Sequence, residues 1–165
     1  MSLSVEILYS ETNISMHTIL YVDSDPQELE KVSLSLRENG YEVIPARNPG
    51  EAMEWLSQSP PTIVLTDIEF PGLESEKVIK NFIKISPDSV FIIYTKREER
   101  RIGEDRRLDK IFEFISKPTD NITLMGHLRR AEIFGKKRLV VCSTQPWGYS
   151  SRYSTEPRME ARRLG

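Results

Sequence analysis

Five short apolar runs recur along the chain, at residues 19–22, 41–46, 63–65, 89–95 and 111–116, each followed by a helix-length stretch. Connections that long are not hairpins, so strands built on these runs pair in parallel through crossovers. Such crossovers are right-handed and lay helices on the sheet, covering strands that are apolar on both faces. The pattern predicts an α/β fold: one parallel sheet of five strands wrapped by five helices.

Local signals punctuate each unit. Ile63, Val64 and Leu65 sit between Pro60-Pro61 and Pro71-Gly72, and Asp67 appears where that run ends. Asp25-Pro26-Gln27-Glu28 reads as a helix start, with Asp at the N-cap, Pro at the first helical position and Glu three residues on. Leu29, Val32 and Leu36 give that helix a buried stripe, and Gly40 ends it. Asn48-Pro49-Gly50-Glu51 repeats the start signal ahead of Ala52, Met53, Trp55 and Leu56. Val78, Ile79, Phe82 and Ile83 mark a third helix. In residues 96–110 twelve of fifteen side chains are charged, with Ile102 and Leu108 as anchors, which predicts a wet, thinly packed fourth helix. The last helix is expected from about Asp120, carrying Ile122, Leu124, Met125 and Leu128.

With 165 residues and 38% hydrophobic content, the chain is sized for one domain with its own core and is short for two. The repeated units fill residues 16–134. Residues 1–15 read as an upstream extension, an expression remnant or an extra edge strand on Val5, Ile7 and Tyr9; residues 135–165 read as a basic tail or a helix extension. Residues 136–165 carry seven Lys/Arg against two Asp/Glu, so the body is acidic and the tail basic. The single cysteine, Cys142, makes no internal disulfide. No run approaches the ~18 apolar residues of a membrane span, and no secretory signal opens the chain. A cytoplasmic protein without a membrane partner is the expectation.

Several function classes lack their signatures. Neither Gly-x-x-x-x-Gly-Lys-Ser/Thr nor Gly-x-Gly-x-x-Gly occurs, so nucleotide phosphates have no backbone cradle. His17 and His127 are far apart and have no ligand partners near them in sequence. No helix-turn-helix pattern follows the repeats, so sequence-specific nucleic-acid binding is not expected; the Arg, Lys, Tyr and Trp of the tail support at most a nonspecific contact.

Four polar residues stand at the ends of four runs: Asp23, Asp67, Thr95 and Lys117. Strand ends of one parallel sheet lie side by side, which makes these four a constellation. Together with Ile19-Leu-Tyr-Val-Asp23, Asp25-Pro26, Gly40-Tyr-Glu-Val43, Leu65-Thr-Asp-Ile-Glu-Phe-Pro-Gly72, Ile93-Tyr-Thr95 and Phe114-Ile-Ser-Lys-Pro118, they make the sequence resemble a response regulator receiver domain, the phosphoacceptor module of two-component signalling. The resemblance implies the CheY-like, flavodoxin-like (βα)5 fold with strand order 2-1-3-4-5. It implies that Asp67 accepts a phosphoryl group from a kinase phosphohistidine, that Asp23 helps to hold Mg²⁺, that Thr95 hydrogen-bonds a phosphoryl oxygen, and that Lys117 ion-pairs with the phosphoryl group. Phe114 takes the place of the family's switch aromatic, and Lys117-Pro118 of its cis peptide. A sensor histidine kinase or phosphotransfer protein and an unnamed downstream target are the implied partners, and the chain is implied to be a signalling switch and not an enzyme. Phosphoryl transfer asks chiefly for positioning and charge neutralisation, so a carboxylate nucleophile, a metal and a lysine suffice.

The chain also departs from the family pattern. Receivers have two adjacent acids after the first strand, and here the second is Ser24, so Mg²⁺ is expected to bind more weakly. Asp25 is committed to capping, or else substitutes for the missing acid. Glu69 offers either its backbone carbonyl or its side chain. Lys96 stands where receivers have a small residue and either pairs with Glu69 or points outward; Lys110-Ile111 replaces the usual Gly-Ala. The competing reading is therefore a phosphorylation-independent pseudo-receiver that serves as a protein-interaction module. Self-association through residues 96–130, whose mixed charges can pair across a two-fold axis, is a further expectation that sedimentation with and without a phosphodonor tests.

Overall fold

A computed structural model describes residues 17–96 and 110–143. Strands β1 (Thr18–Val22), β2 (Glu42–Ala46), β3 (Ile63–Thr66), β4 (Val90–Thr95) and β5 (Ile111–Ser116) form one sheet in the order β2-β1-β3-β4-β5. Every pairing is parallel. Helices α1 (Pro26–Glu38), α2 (Pro49–Gln58), α3 (Ser75–Ile85) and α4 (Asn121–Ser143) complete the described elements. This is the doubly wound flavodoxin-like topology that the connection lengths and the family resemblance lead one to expect.

The two-residue period of the strands divides the core in two. Ile19 and Tyr21 of β1, Ile63 and Leu65 of β3, and Ile92 and Tyr94 of β4 join Leu29, Val32 and Leu36 of α1 and Leu124, Met125 and Leu128 of α4. Leu20 and Val22, Val64, and Phe91 and Ile93 join Ala52 and Leu56 of α2 and Val78, Ile79 and Phe82 of α3. Each fully buried aliphatic or Phe side chain contributes about 1.5–3 kcal/mol. The three central strands are thus held from both faces.

Both ends of α1 follow from local chemistry. The Asp25 carboxylate accepts from the N–H groups of Gln27 and Glu28, and Pro26 opens the helix. At the other end Tyr41 N–H donates to Leu36 O and Gly40 N–H to Arg37 O, a Schellman pair that requires the positive φ of +89° at Gly40. Asn48 caps α2 through Glu51 N–H.

Three features depart from simple periodicity. Trp55 is 43% exposed and Ile122 85% exposed, so neither joins the buried face of its helix. At roughly 100° per residue Ile122 lies about 200° round α4 from Leu124, on the side away from the sheet, and Trp55 lies about 100° round α2 from Leu56. The third concerns β5, where a register shift in the β4 pairing inserts an extra residue: Phe91 pairs with Ile111 but Ile92 with Glu113. The bulge sends Phe112 and Ile115 to the α1/α4 side, while Ile111 and Phe114 pack on the α2/α3 side. Helix α4 continues through Ser143, well past residue 134. Residues 1–15, for which an extra edge strand is one of three readings, the expected helix within residues 97–109, with part of the expected self-association surface, and the tail from residue 144 lie outside the described residues.

Candidate functional site

The backbone ladder carries one step past the strands and fixes the residues that follow them. Asp23 N–H donates to Ala46 O at 3.1 Å, Asp67 N–H to Val22 O at 2.8 Å, and Lys117 N–H to Thr95 O at 2.9 Å. The peptide Lys117–Pro118 is cis. From these anchored positions three side chains converge. Lys117 Nζ donates to Asp67 Oδ2 at 2.8 Å and to Asp23 Oδ2 at 2.5 Å. The side chains of Lys117 and Asp23 are 3% and 1% exposed and that of Asp67 is 10% exposed, so Asp67 is the group of the three most open to an incoming molecule.

Each carboxylate is further bound. Asp67 Oδ1 accepts from the N–H groups of Ile68 at 2.6 Å and Glu69 at 3.1 Å. Asp23 Oδ1 accepts from Asp25 N–H at 2.9 Å, and its Oδ2 accepts from the Tyr21 hydroxyl at 2.7 Å. Burial alone would push the Asp67 carboxyl up; the Lys117 ammonium and the Glu69 and Ile68 N–H groups together outweigh it and hold the carboxyl below its usual range. Burial likewise disfavours the Lys117 charge, but Asp23 and Asp67 raise its pKa above the ordinary lysine value. The centre thus sets an ionised Asp67 against the Lys117 ammonium, which Asp23 also contacts.

The other expected residues stand around this centre. Thr95 is buried at the end of β4, paired with Ser116. Phe114 is partly buried on β5 opposite Ile93. The Ser24 hydroxyl donates to the Glu69 carbonyl at 3.4 Å, whereas Glu69 as a whole is exposed. Among the described residues no three His, Cys, Asp or Glu side chains are grouped to hold a metal ion, so the Glu69 carboxylate does not complete a set with Asp23 and Asp67. The Asp25 carboxylate is used by the α1 cap. Lys96 is exposed and forms no ion pair with Glu69 among the described residues. The oxygen donors at the site, two carboxylates and a nearby backbone carbonyl, are of the hard kind that Mg²⁺ takes.

Sequence reasoning passed over Tyr21 and Tyr94. Their rings lie 6.5 Å apart, and Lys117 Nζ stands 5.0 Å from the Tyr94 ring centroid. The available signal was two hydroxyl-bearing rings on the α1/α4 face of β1 and β4, one just before Thr95 and the other two residues before Asp23.

The arrangement can accept a transferable anionic group on an ionised carboxylate beside a fixed cation. A model of the response regulator receiver domain family matches residues 19–129. Protein PilH of Pseudomonas aeruginosa is 31% identical over 120 residues, which cover 67% of this chain and 93% of PilH. Response regulator GtcR of Aneurinibacillus migulanus is 29% identical over 134 residues, 78% of this chain and 54% of GtcR, so the chain spans about half of that protein. A CheY-like receiver domain protein from Methanospirillum hungatei superimposes with a TM-score of 0.70 at 23% identity, over 74% of this chain and 98% of that one. Response regulator TrrA of Thermotoga maritima, solved in complex with Mg²⁺ and BeF, does so with a TM-score of 0.63 at 28% identity, over 70% and 99%. With the family pattern matched across most of its length, the chain belongs to the response regulator receiver domains, phosphorylation switches, not enzymes, that act in aspartate-phosphorylation-based signal transduction from a histidine kinase.

Proposed function

We propose that Asp67 is the phosphoacceptor of this chain. The observation that carries the assignment is the shared ammonium: Lys117 holds Asp67 ionised at the carboxyl edge of the sheet, and Asp67 is the more open of its two partners. In the transfer, Asp67 Oδ2 bonds to phosphorus as the P–N bond of the kinase phosphohistidine breaks. The electron pair of that bond stays on the imidazole nitrogen, which takes a proton from water. Lys117 then pairs with the phosphoryl oxygens, Thr95 donates its hydroxyl to one of them, and Phe114 follows Thr95 inward to change the surface that a downstream target reads.

Asp23, Asp67 and the Glu69 backbone carbonyl would hold Mg²⁺ in the same pocket. Asp23 Oδ1 accepts one protein hydrogen bond and keeps one acceptor position, which is what an oxygen-bound cation needs. When bound, the ion neutralises charge on the transferring oxygens. Ser24 contributes a hydroxyl where the family has a carboxylate, so the ion is held less tightly than in receivers with both acids.

The test is incubation of the full chain with acetyl phosphate and Mg²⁺, read by intact mass. One added phosphoryl group is expected, absent in Asp67→Asn. Ser24→Asp should lower the Mg²⁺ concentration for half-maximal labelling roughly tenfold, the usual scale for gaining or losing a supporting ligand. No mass gain in the native chain would sink the assignment and leave the interaction-module reading in its place.

A further inference from the structure

Tyr21 is wholly buried among the aliphatic side chains between the sheet, α1 and α4. A phenylalanine ring would fill that slot as well, so packing leaves the hydroxyl unexplained. Taking a hydroxyl out of water is costly unless it finds a partner. This one finds Asp23 Oδ2, the same oxygen that accepts from Lys117.

An ionised carboxylate offers about four acceptor positions, two on each oxygen. On Asp23 both positions of Oδ2 are taken, by Tyr21 and Lys117, and one on Oδ1 is taken by Asp25 N–H. We infer that Tyr21 is a positioning residue that ties up Asp23 Oδ2, so that Asp23 serves mainly as the counter-ion of Lys117 and presents a cation with a single acceptor position. Tyr94 supports the same arrangement by placing its ring face 5.0 Å from the ammonium. The neutral phenol also draws electron density from the carboxylate through a charge-assisted hydrogen bond, which makes Asp23 a poorer metal donor. Together with the hydroxyl at Ser24, this tunes the pocket toward loose cation binding, with Lys117 as its resident positive charge. The inference rests on the reading of this pocket as the phosphoacceptor site.

The experiment is titration of Mg²⁺ into the native full chain and into Tyr21→Phe by calorimetry, with no phosphodonor present. Freed of the phenol, Asp23 should bind Mg²⁺ about 3- to 10-fold more tightly; a variant that had merely loosened the fold would bind more weakly. Equal affinity, weaker binding in the variant, or no binding to either chain overturns the inference. Should Tyr21→Phe not fold by circular dichroism, carboxyl ¹³C spectra of the native chain decide. A Mg²⁺-induced shift that is large at Asp67 and small at Asp23 supports the inference, and equal shifts overturn it. Neither measurement involves phosphoryl transfer, so a failed labelling reaction and a failed Tyr21 inference are separate outcomes.

Discussion

Lys117 balances two carboxylates at once, and the state of Asp67 depends on it. Burial, the largest single influence on Asp67, raises its pKa, and the lysine is what most strongly lowers it. Lys117→Met should therefore carry the Asp67 carboxyl from below its ordinary value to above it, because burial, the largest influence, is then opposed only by the Glu69 and Ile68 N–H groups. Two buried anions left without their cation should also cost about 3 kcal/mol at neutral pH. That deficit shrinks as the pH falls and the folded variant takes up a proton before the unfolded chain does. Carboxyl ¹³C titration and urea unfolding at pH 7 and pH 5 read both effects; an Asp67 that still titrates below 3.8 in the variant would refute the dependence. At this scale Asp23, Asp67 and Lys117 were legible, since a polar residue that ends an apolar run is held by the ladder at the carboxyl edge. The hydrogen bond of Tyr21 was not legible, because tyrosine in a strand reads as an aromatic β-former and its hydroxyl gives no sign of its partner.

The elements were more legible than their faces. Start and stop signals placed α1 because Asp25, Pro26 and Gly40 act through the backbone, independently of the rest of the fold. Which side of α4 is buried depends instead on how the helix meets the sheet. Leu128 is fully buried against the α1/α4 side of the core, whereas Ile122, in the first turn, is mostly in solvent. Leu128→Ala should then cost about 3 kcal/mol from lost burial and the cavity left behind. Ile122→Ala should stay within about 0.5 kcal/mol of the native chain. Urea unfolding of the two variants distinguishes this packing from the stripe expected from spacing, in which both would be costly. The bulge in β5 was equally hidden. Strict alternation would put Phe112 and Phe114 on one face; the inserted residue separates them and places Phe114 on the α2/α3 side, where a movement coupled to Thr95 would be felt.

Across the whole molecule, connection lengths made the doubly wound architecture legible, whereas alternation assigns a face to a residue and not its depth. Depth decides how the protein responds to alkali. Tyr21, Tyr41, Tyr94 and the Lys117 side chain are all buried, and each has its pKa raised in the folded state, burial leading for the tyrosines and the Asp23 and Asp67 partners prevailing over burial for the lysine. Their stabilising contribution is complete below the ordinary values of 10.0 for tyrosine and 10.5 for lysine. Above those values the unfolded chain sheds protons that the folded chain keeps, so stability falls as pH rises toward the folded pKa values, by up to about 1.4 kcal/mol per pH unit for each group. Asp67 works in the other direction: its contribution is present above 3.8 and is lost as the pH falls through its lower folded value. Stability should thus be flat through the neutral range, with an alkaline limb steeper than Asp67 alone gives on the acid side. Tyr21→Phe removes one of the four alkaline groups, so its limb between pH 10 and pH 12 should be shallower by about 1.4 kcal/mol per pH unit. Urea midpoints collected across that interval measure the slope directly, and ultraviolet absorbance follows the phenols. An unchanged slope in Tyr21→Phe, or a full complement of phenols ionising near pH 10 while the protein is still folded, would mean that Tyr21 is not sealed beneath Asp23 as described.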